Sequence, residues 1–472
     1  MAVDLEIPAQ QVDIFASQYK KLTSNLQSGV IKPNGRNNAR HLFVRFTGTK
    51  AQIGTWIKQQ IAPKIVSTAT QYDQSRLRET NLGLDGGLVV NFYLSADGYK
   101  KLGLDIERFA DRAFKTGMKD QKGSKDALPS TWQAPYQGRV DAMVSFSDNS
   151  VTTANAAAQA MASTLAGVGT ALVTEEGTVL RRPVGGGKSE TIEHFGYFDG
   201  ISNPIYTSRD LAADASATTS GPEWDPGAPL SLVLVTDPFA SAADEAFGSF
   251  LVYRKLGQNN AAFEAGVAAL AASLGTTAEL AGAMIVGRFK DGTPVVEQNA
   301  PTPHLTASNH FNYDGDNDGF RCPVHSHIRK ANPRGQTPLT SLSGERKRRI
   351  TRRGIPYGKP LPNLVGSNVP SDPSLTAERG LLFLCFQRSI EKQFEFIQQT
   401  WVDNPNFPNV LDIFSKDGDD PLIGQDGDEG QKWPKVWGDK GAGKKRVNVE
   451  SAVSLEGGEY FFAPSVAFIK AF

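Results

Sequence analysis

Cysteine is almost missing: Cys322 and Cys385 are the only two in 472 residues. That excludes a disulfide framework and a four-cysteine zinc site. An excess of one charge is missing as well, since 50 Lys+Arg face 50 Asp+Glu. The chain therefore has no global field to draw it to nucleic acid or to an acidic membrane surface. No stretch approaches the roughly 18–20 consecutive apolar residues that cross a bilayer. The opening MAVDLEIPAQQVDIF lacks the basic segment and apolar run of a secretory signal. Neither a nucleic-acid nor a membrane partner is expected, and the expected location is the cytoplasm.

What is present is an ordinary globular composition, 39% hydrophobic and 21% charged, long enough for two or three domains of roughly 100–200 residues. Residues 1–35 are polar and are expected to wrap the surface. His41–Phe46 alternates like a strand, Ala51–Ile65 has helical spacing, and Leu88–Leu94, Arg139–Phe146 and Thr170–Thr174 read as further strands around the Ala-rich helix Thr152–Val168. This order is the split-βαβ, or ferredoxin-like, arrangement. Thr207–Pro229 reads as a linker. The second half repeats the plan, with strands at Leu230–Thr236, Ser249–Lys255, Leu381–Gln387 and Tyr460–Ala463 and helices at Asn259–Leu274 and Ser389–Trp401. The fold class expected is α+β, with two ferredoxin-like halves over residues 1–215 and 216–472. Ala300–Asn363 is a long basic loop region holding His304, His310, His325 and His327, and loops of that length are usually functional.

Several signals read better as surface features. GGGKS at Gly185–Ser189 has Arg182 where a phosphate-binding loop needs its first glycine. DGDNDG at Asp314–Gly319 opens like a calcium loop, but the bidentate Glu of the twelfth position is His325. The acidic run Asp417–Glu429 reads as a solvated loop. His325 and His327 would share a face in a strand, yet no HExxH accompanies them, and no G-x-S-x-G elbow points to a serine hydrolase.

Three separated segments carry more weight. FGYFDGISNP (Phe195–Pro204) sets Asp199 between aromatic residues and a glycine, where a carboxyl is partly desolvated; a turn-capping Asp is the plainer alternative. CPVHSHIRKANPR (Cys322–Arg334) follows a histidine with Arg329, Lys330 and Arg334, suited to an anionic ligand such as a porphyrin with propionates or simply a basic surface loop. RRITRRGIPYG (Arg348–Gly358) is a basic run leading into an aromatic turn.

Together these segments resemble the dye-decolourising peroxidases. Gly196-Tyr197-Phe198-Asp199-Gly200 matches the family's GxxDG signature, His327 its proximal haem ligand, Arg352 its distal arginine, and Leu381 and Phe383 the apolar wall of its peroxide pocket. VGRFKDGTP (Val286–Pro294) also fits. A departure is His325, where the family usually has a small residue. The resemblance extends from about Arg40 onward.

That resemblance implies an enzyme with one haem b per chain, held in the C-terminal half of a fold of the dimeric α+β barrel type. Gly200, Ile201 and Ser202, and Asn332, Pro333 and Arg334, are implied to line the cofactor, and Asp420 to accept the second ring N–H of His327. Such a bond raises the basicity of the histidine and favours high-valent iron. Asp199 is implied to move the peroxide proton and Arg352 to stabilise developing charge, leading to a ferryl state. Bulky aromatic reductants such as dyes and phenols, and Mn(II) as a further substrate, would then deliver electrons from outside, with Tyr357 or Trp401 as surface relays. The competing readings are a haem-binding or haem-delivery protein with incidental peroxidase activity and a chlorite-decomposing haem enzyme, which would lack the GxxDG acid.

Overall fold

The computed structural model describes residues 3–81, 84, 86–121, 123, 125–217, 224–241, 245–302, 308–337, 341–366, 369–408, 416–425 and 430–472. His304 and residues 426–429 of the acidic run lie outside them.

Four strands come from the first half: β1 (Asn38–Phe46), β2 (Val89–Leu94), β3 (Ala142–Asp148) and β4 (Gly169–Thr178). Four come from the second: β5 (Phe247–Gln258), β6 (Ile355–Tyr357), β7 (Gly380–Gln387) and β8 (Val453–Ala463). In each half the spatial order is fourth, first, third, second: β4-β1-β3-β2 and β8-β5-β7-β6. The two sheets join edge to edge. Leu94 of β2 pairs with Phe462 of β8, and Gly177 of β4 with Tyr357 of β6, all antiparallel. Since β5 also pairs with β7, the sheet closes into a barrel, each seam held by one such pair. At the second seam Gly177 is required, because a Cβ there would stand 2.4 Å from Ile355 Cγ2.

Strands β1, β2 and β3 are buried on both faces, and Leu42, Phe43, Phe92, Tyr253, Leu382 and Phe461 join one core drawn from both halves. A second core forms outside the barrel, under two helices of the second half, α1 (Asn260–Leu274) and α2 (Ala278–Val286). Asn259 caps α1 through a bond from Ala262 N, and Gly275 ends it in the left-handed region at φ 66°. Thr277 then caps α2. No single helix is long and apolar enough to cross a membrane among the described residues.

The structure departs from expectation in four places. Residues 1–35 do not merely wrap the surface: Val12, Tyr19, Leu22, Leu26 and Val30 are buried in the barrel core, and Gln27 donates to the carbonyls of Phe92 and Pro464 at 2.8 and 2.9 Å. The expected linker contains a helix at Ser208–Ala217. Leu230–Thr236 is a 3₁₀ turn followed by only two strand residues. Ser389–Trp401 coils through wide π-helical turns, Ile390–Phe394 and Ile397–Val402.

The acidic run is not a solvated loop at its start, since Asp417, Asp419 and Asp420 are buried. Gly185–Gly187, all at positive φ, form the turn between the short strands Leu180–Gly185 and Lys188–Ile192. In the DGDNDG loop Asp316 is buried and engaged by protein: it accepts from Arg321 N and Cys322 N at 2.9 Å each and from Arg329 at 3.0 Å.

Candidate active site

One cavity lies against the outer face of the second half and collects residues from distant parts of the sequence. Into it project Asp199, Gly200, Ile201 and Ser202 from the loop after the Lys188–Ile192 strand. The five-residue helix α3 (His327–Ala331) contributes His327, with Asn332 and Arg334 just beyond it. Arg352 comes from a two-residue strand, Leu381 and Phe383 from β7.

The Asp199 loop belongs to the first half, but its neighbours pack onto the second. Phe195 stacks on Phe263 of α1 with centroids 4.2 Å apart, and Tyr197 meets the same ring edge-on at 6.0 Å. These rings hold the loop over the cavity. Asp199 N donates to Thr191 O at 2.9 Å and Thr191 Oγ1 returns a bond to Asp199 O at 2.8 Å. The Asp199 carboxylate remains 31% exposed, with its Oδ1 4.0 Å from Arg352 Nη1.

Arg352 is fixed at both ends. Its backbone pairs with Cys385 of β7, its N–H donates to Asn203 Oδ1 at 3.0 Å, and its Nη2 donates to Ile201 O at 2.5 Å. Both anchors lie on the loop that carries Asp199, so carboxylate and guanidinium share one frame.

His327 begins α3. Its Nδ1 lies 2.8 Å from Oδ2 of Asp420, whose side chain is fully buried. The other carboxylate oxygen accepts from Leu422 N and Ile423 N at 2.8 and 3.2 Å. A carboxylate so placed makes Nδ1 the protonated nitrogen and leaves Nε2 for the cavity that the ring lines. His325 does not share that face. The chain enters a helix at His327 instead of continuing as a strand, and His325 is buried against Trp433, ring to ring at 4.3 Å. Burial, with Lys444, Lys330 and Arg329 nearby, holds its pKa well below the usual histidine range.

The basic residues after His327 divide in an unexpected way. Arg329 points away from the cavity to Asp316 and sits over the Tyr313 ring at 4.5 Å. Lys330 donates to the carbonyls of Asn404 and Phe407 at 2.6 and 2.8 Å. They anchor the helix. Arg334 does line the cavity, bonded to Asn309 O at 2.8 Å and to Ser202 Oγ at 3.0 Å. Pro333 is buried but does not reach the cavity wall.

Neither surface relay is at the surface. Tyr357 is 6% exposed, because β6 is a barrel strand and not a free turn; its hydroxyl donates to Glu456 Oε2 at 2.9 Å. Trp401 is 4% exposed and stacks on Phe407 at 5.1 Å.

The cavity also holds residues that the motifs did not single out: Glu193, Arg254, Gln258, Arg288 and Arg349. Arg288 stood within VGRFKDGTP. Its Nη1 donates to Gly292 O at 2.8 Å, while its Nη2 is buried without a partner. Burial lowers its pKa to about 10 and that of Arg334 to about 9, so both remain cations at neutral pH.

Comparisons with known proteins agree in kind. Residues 279–417 match the family model described as Dyp-type peroxidase, C-terminal. The multifunctional dye peroxidase DyP2 of Amycolatopsis sp. is 35% identical over 95% of this chain and 96% of its own. The dye-decolorizing peroxidase msp1 of Mycetinis scorodonius is 31% identical over 98% of this chain and 90% of its own. Among solved structures, the DyP-type peroxidase of Anabaena sp. superposes with a TM-score of 0.87 at 37% identity, covering 96% of this chain and 95% of that one.

Proposed function

The chain belongs to the DyP-type peroxidase family, and on that premise we propose how its own residues carry the reaction. It is a haem b enzyme that uses hydrogen peroxide to oxidise dyes. The cavity suits that cofactor: an imidazole nitrogen is available from His327, the walls include Ile328, Leu381, Phe394, Ile397, Val402 and Leu455, and the cations Arg288 and Arg334 suit the carboxylates of a porphyrin. The haem supplies the redox chemistry, taking oxidising equivalents from peroxide and passing them to the reductant.

His327 is the proposed iron ligand, and Asp420 the residue that orients it and raises its basicity. Asp199 would take the proton from one oxygen of hydrogen peroxide and pass it to the other, and the two electrons that break the O–O bond and release water would be supplied by the haem. Arg352 is a preorganised positive charge for the hydroperoxide anion and for the separating charge. Leu381 and Phe383 keep this end of the cavity apolar and admit peroxide in preference to dyes. The observation carrying the proposal is that the Asp199–Arg352 pair faces the same cavity as the Asp420-tethered His327. A protein that merely retained or delivered haem would need neither member of the pair.

Dyes, phenols and other bulky aromatic reductants then donate electrons from outside, and Mn(II) and lignin-like compounds are proposed as further reductants. Tyr357 is the proposed route, from just beneath the surface. Its bond to Glu456, whose pKa burial raises, gives the phenolic proton a place to go when the ring is oxidised.

Stopped-flow absorption of the haem-loaded enzyme mixed with peroxide tests the assignment. Arg352→Leu and Asp199→Asn should each slow the reaction, on the order of a hundredfold or more where the group is a principal one. Unchanged rates in both variants would refute it.

A further inference from the structure

We propose that Glu193 is a positioning residue for Asp199, its carboxylate latching the loop that carries the proton-moving group into the cavity. The inference rests on the proposed role of Asp199. Glu193 leaves the Lys188–Ile192 strand and lines the same cavity. Its Oε2 accepts from Phe195 N at 2.8 Å and from Gln258 Nε2 at 2.5 Å, and its Oε1 accepts from Tyr197 N at 2.9 Å. The backbone closes the same turn, with Glu193 N donating to Tyr197 O at 3.1 Å and Gly196 N to Glu193 O at 2.9 Å. Gly196 makes the turn at φ 88°. Asp199 follows Tyr197 by two residues, so the position of its carboxylate depends on this turn. Gln258, at the end of β5, ties the turn to the barrel.

The three donors favour the carboxylate over the acid. A protonated Glu193 is a weaker acceptor and places an O–H among three donors, so the bonds to Phe195, Tyr197 and Gln258 weaken. Burial pushes the Glu193 carboxyl up to about 7; the bonds from Phe195, Tyr197 and Gln258 oppose that shift, and Asp199 adds to it. The other groups around the turn are Arg182, whose Nη1 donates to Gly196 O at 2.9 Å, the buried His194, Tyr197 itself, Glu279 of α2, the Lys290 ammonium, which lies 6.0 Å from the Tyr197 ring, and Arg254 on β5 in the same cavity. The latch therefore loosens as pH falls through about 7.

The test compares haem-loaded wild type, Glu193→Gln, Gln258→Leu and Asp199→Asn by stopped flow with hydrogen peroxide from acid to alkaline pH. Glu193→Gln puts an amide donor against backbone donors. It should slow the peroxide step by roughly ten- to a hundredfold per haem, the scale of a ~1 Å misplacement, and abolish the inflection near pH 7, with the KM for dye unchanged. Gln258→Leu keeps the carboxylate but removes a donor that favours its charge, so the inflection should move to higher pH. An unchanged rate and pH profile in Glu193→Gln would overturn the proposal. So would an unshifted inflection in Gln258→Leu, which stays informative if the first variant folds poorly. If Asp199→Asn alone is slow, the latch is wrong and the role of Asp199 stands; if Asp199→Asn reacts like wild type, the role of Asp199 itself is wrong.

Discussion

Asp420 Oδ2 stands 2.8 Å from His327 Nδ1 and is fully buried, with its second oxygen bonded to two backbone N–H groups. A carboxylate with that support cannot swing away, so it fixes both the tautomer and the plane of the imidazole. Partners of this kind are worth ~10–100-fold in metal affinity or activity. Asp420→Asn should accordingly weaken haem retention and raise the reduction potential of the bound iron, measured by haem titration and potentiometry. An unchanged potential would mean that the contact has no electronic role.

Asn203 joins the two halves of the proton-transfer pair. Its Oδ1 accepts from Arg352 N at 3.0 Å, while Ile201 O holds the guanidinium. Asn203→Ala removes one neutral hydrogen bond of roughly 1 kcal/mol, and the peroxide step should slow about fivefold. Asn203→Asp, which keeps an acceptor, should recover part of the loss in the same stopped-flow assay.

Tyr357 and Trp401 differ in what surrounds them. The Tyr357 hydroxyl has Glu456 as proton acceptor, whereas Trp401 is stacked on Phe407 with Phe396 at its edge. Tyr357→Phe should lower steady-state oxidation of an anthraquinone dye several-fold and leave the peroxide step unchanged. Trp401→Phe should leave both rates alone and lower the unfolding midpoint. Equal dye rates in wild type and Tyr357→Phe would remove Tyr357 from the electron path.

His41 provides a pH test of the barrel. It is 4% exposed, both ring nitrogens lack hydrogen-bond partners, and burial, with Arg40 beside it, lowers its pKa from 6.5 to about 4. Between those values the unfolded chain binds a proton that the folded chain refuses. The contribution of His41 to stability therefore falls as pH drops from about 6.5 to about 4, by on the order of 3 kcal/mol. His41→Phe should gain stability relative to wild type on acidification, read from urea unfolding at neutral and acid pH. An equal difference at both would contradict the shift.

The legibility of this chain follows the physics of each segment. Strands β1 and β7 announced themselves because short runs dense in apolar residues, HLFVRF and LLFLCF, fit buried strands. Strand β6 did not: Pro356 interrupts it and a basic run precedes it, so three barrel residues read as a turn. That error also misplaced Tyr357 at the surface, since closure of a barrel is a long-range property. Asp199, His327 and Arg352 were found through motifs whose spacing is local. Glu193 and Gln258 are 65 positions apart, and nothing in either segment signals the other. Arg329 and Lys330 looked like ligands for an anion because composition cannot tell which face of a short helix turns to Asp316 and which to the cavity.

His327 is the one imidazole in the cavity wall among the described residues, while His325 is buried against Trp433, so His327 and not His325 is the proposed haem ligand. Absorption spectra of wild type, His327→Ala and His325→Ala, each titrated with haem and then given one equivalent of hydrogen peroxide, test it most directly. The expected result is a Soret band at one haem per chain in wild type and His325→Ala that changes with peroxide and returns on adding dye, with that response lost in His327→Ala. A normal peroxide response in His327→Ala, or its loss in His325→Ala alone, would contradict the assignment and the mechanism built on it.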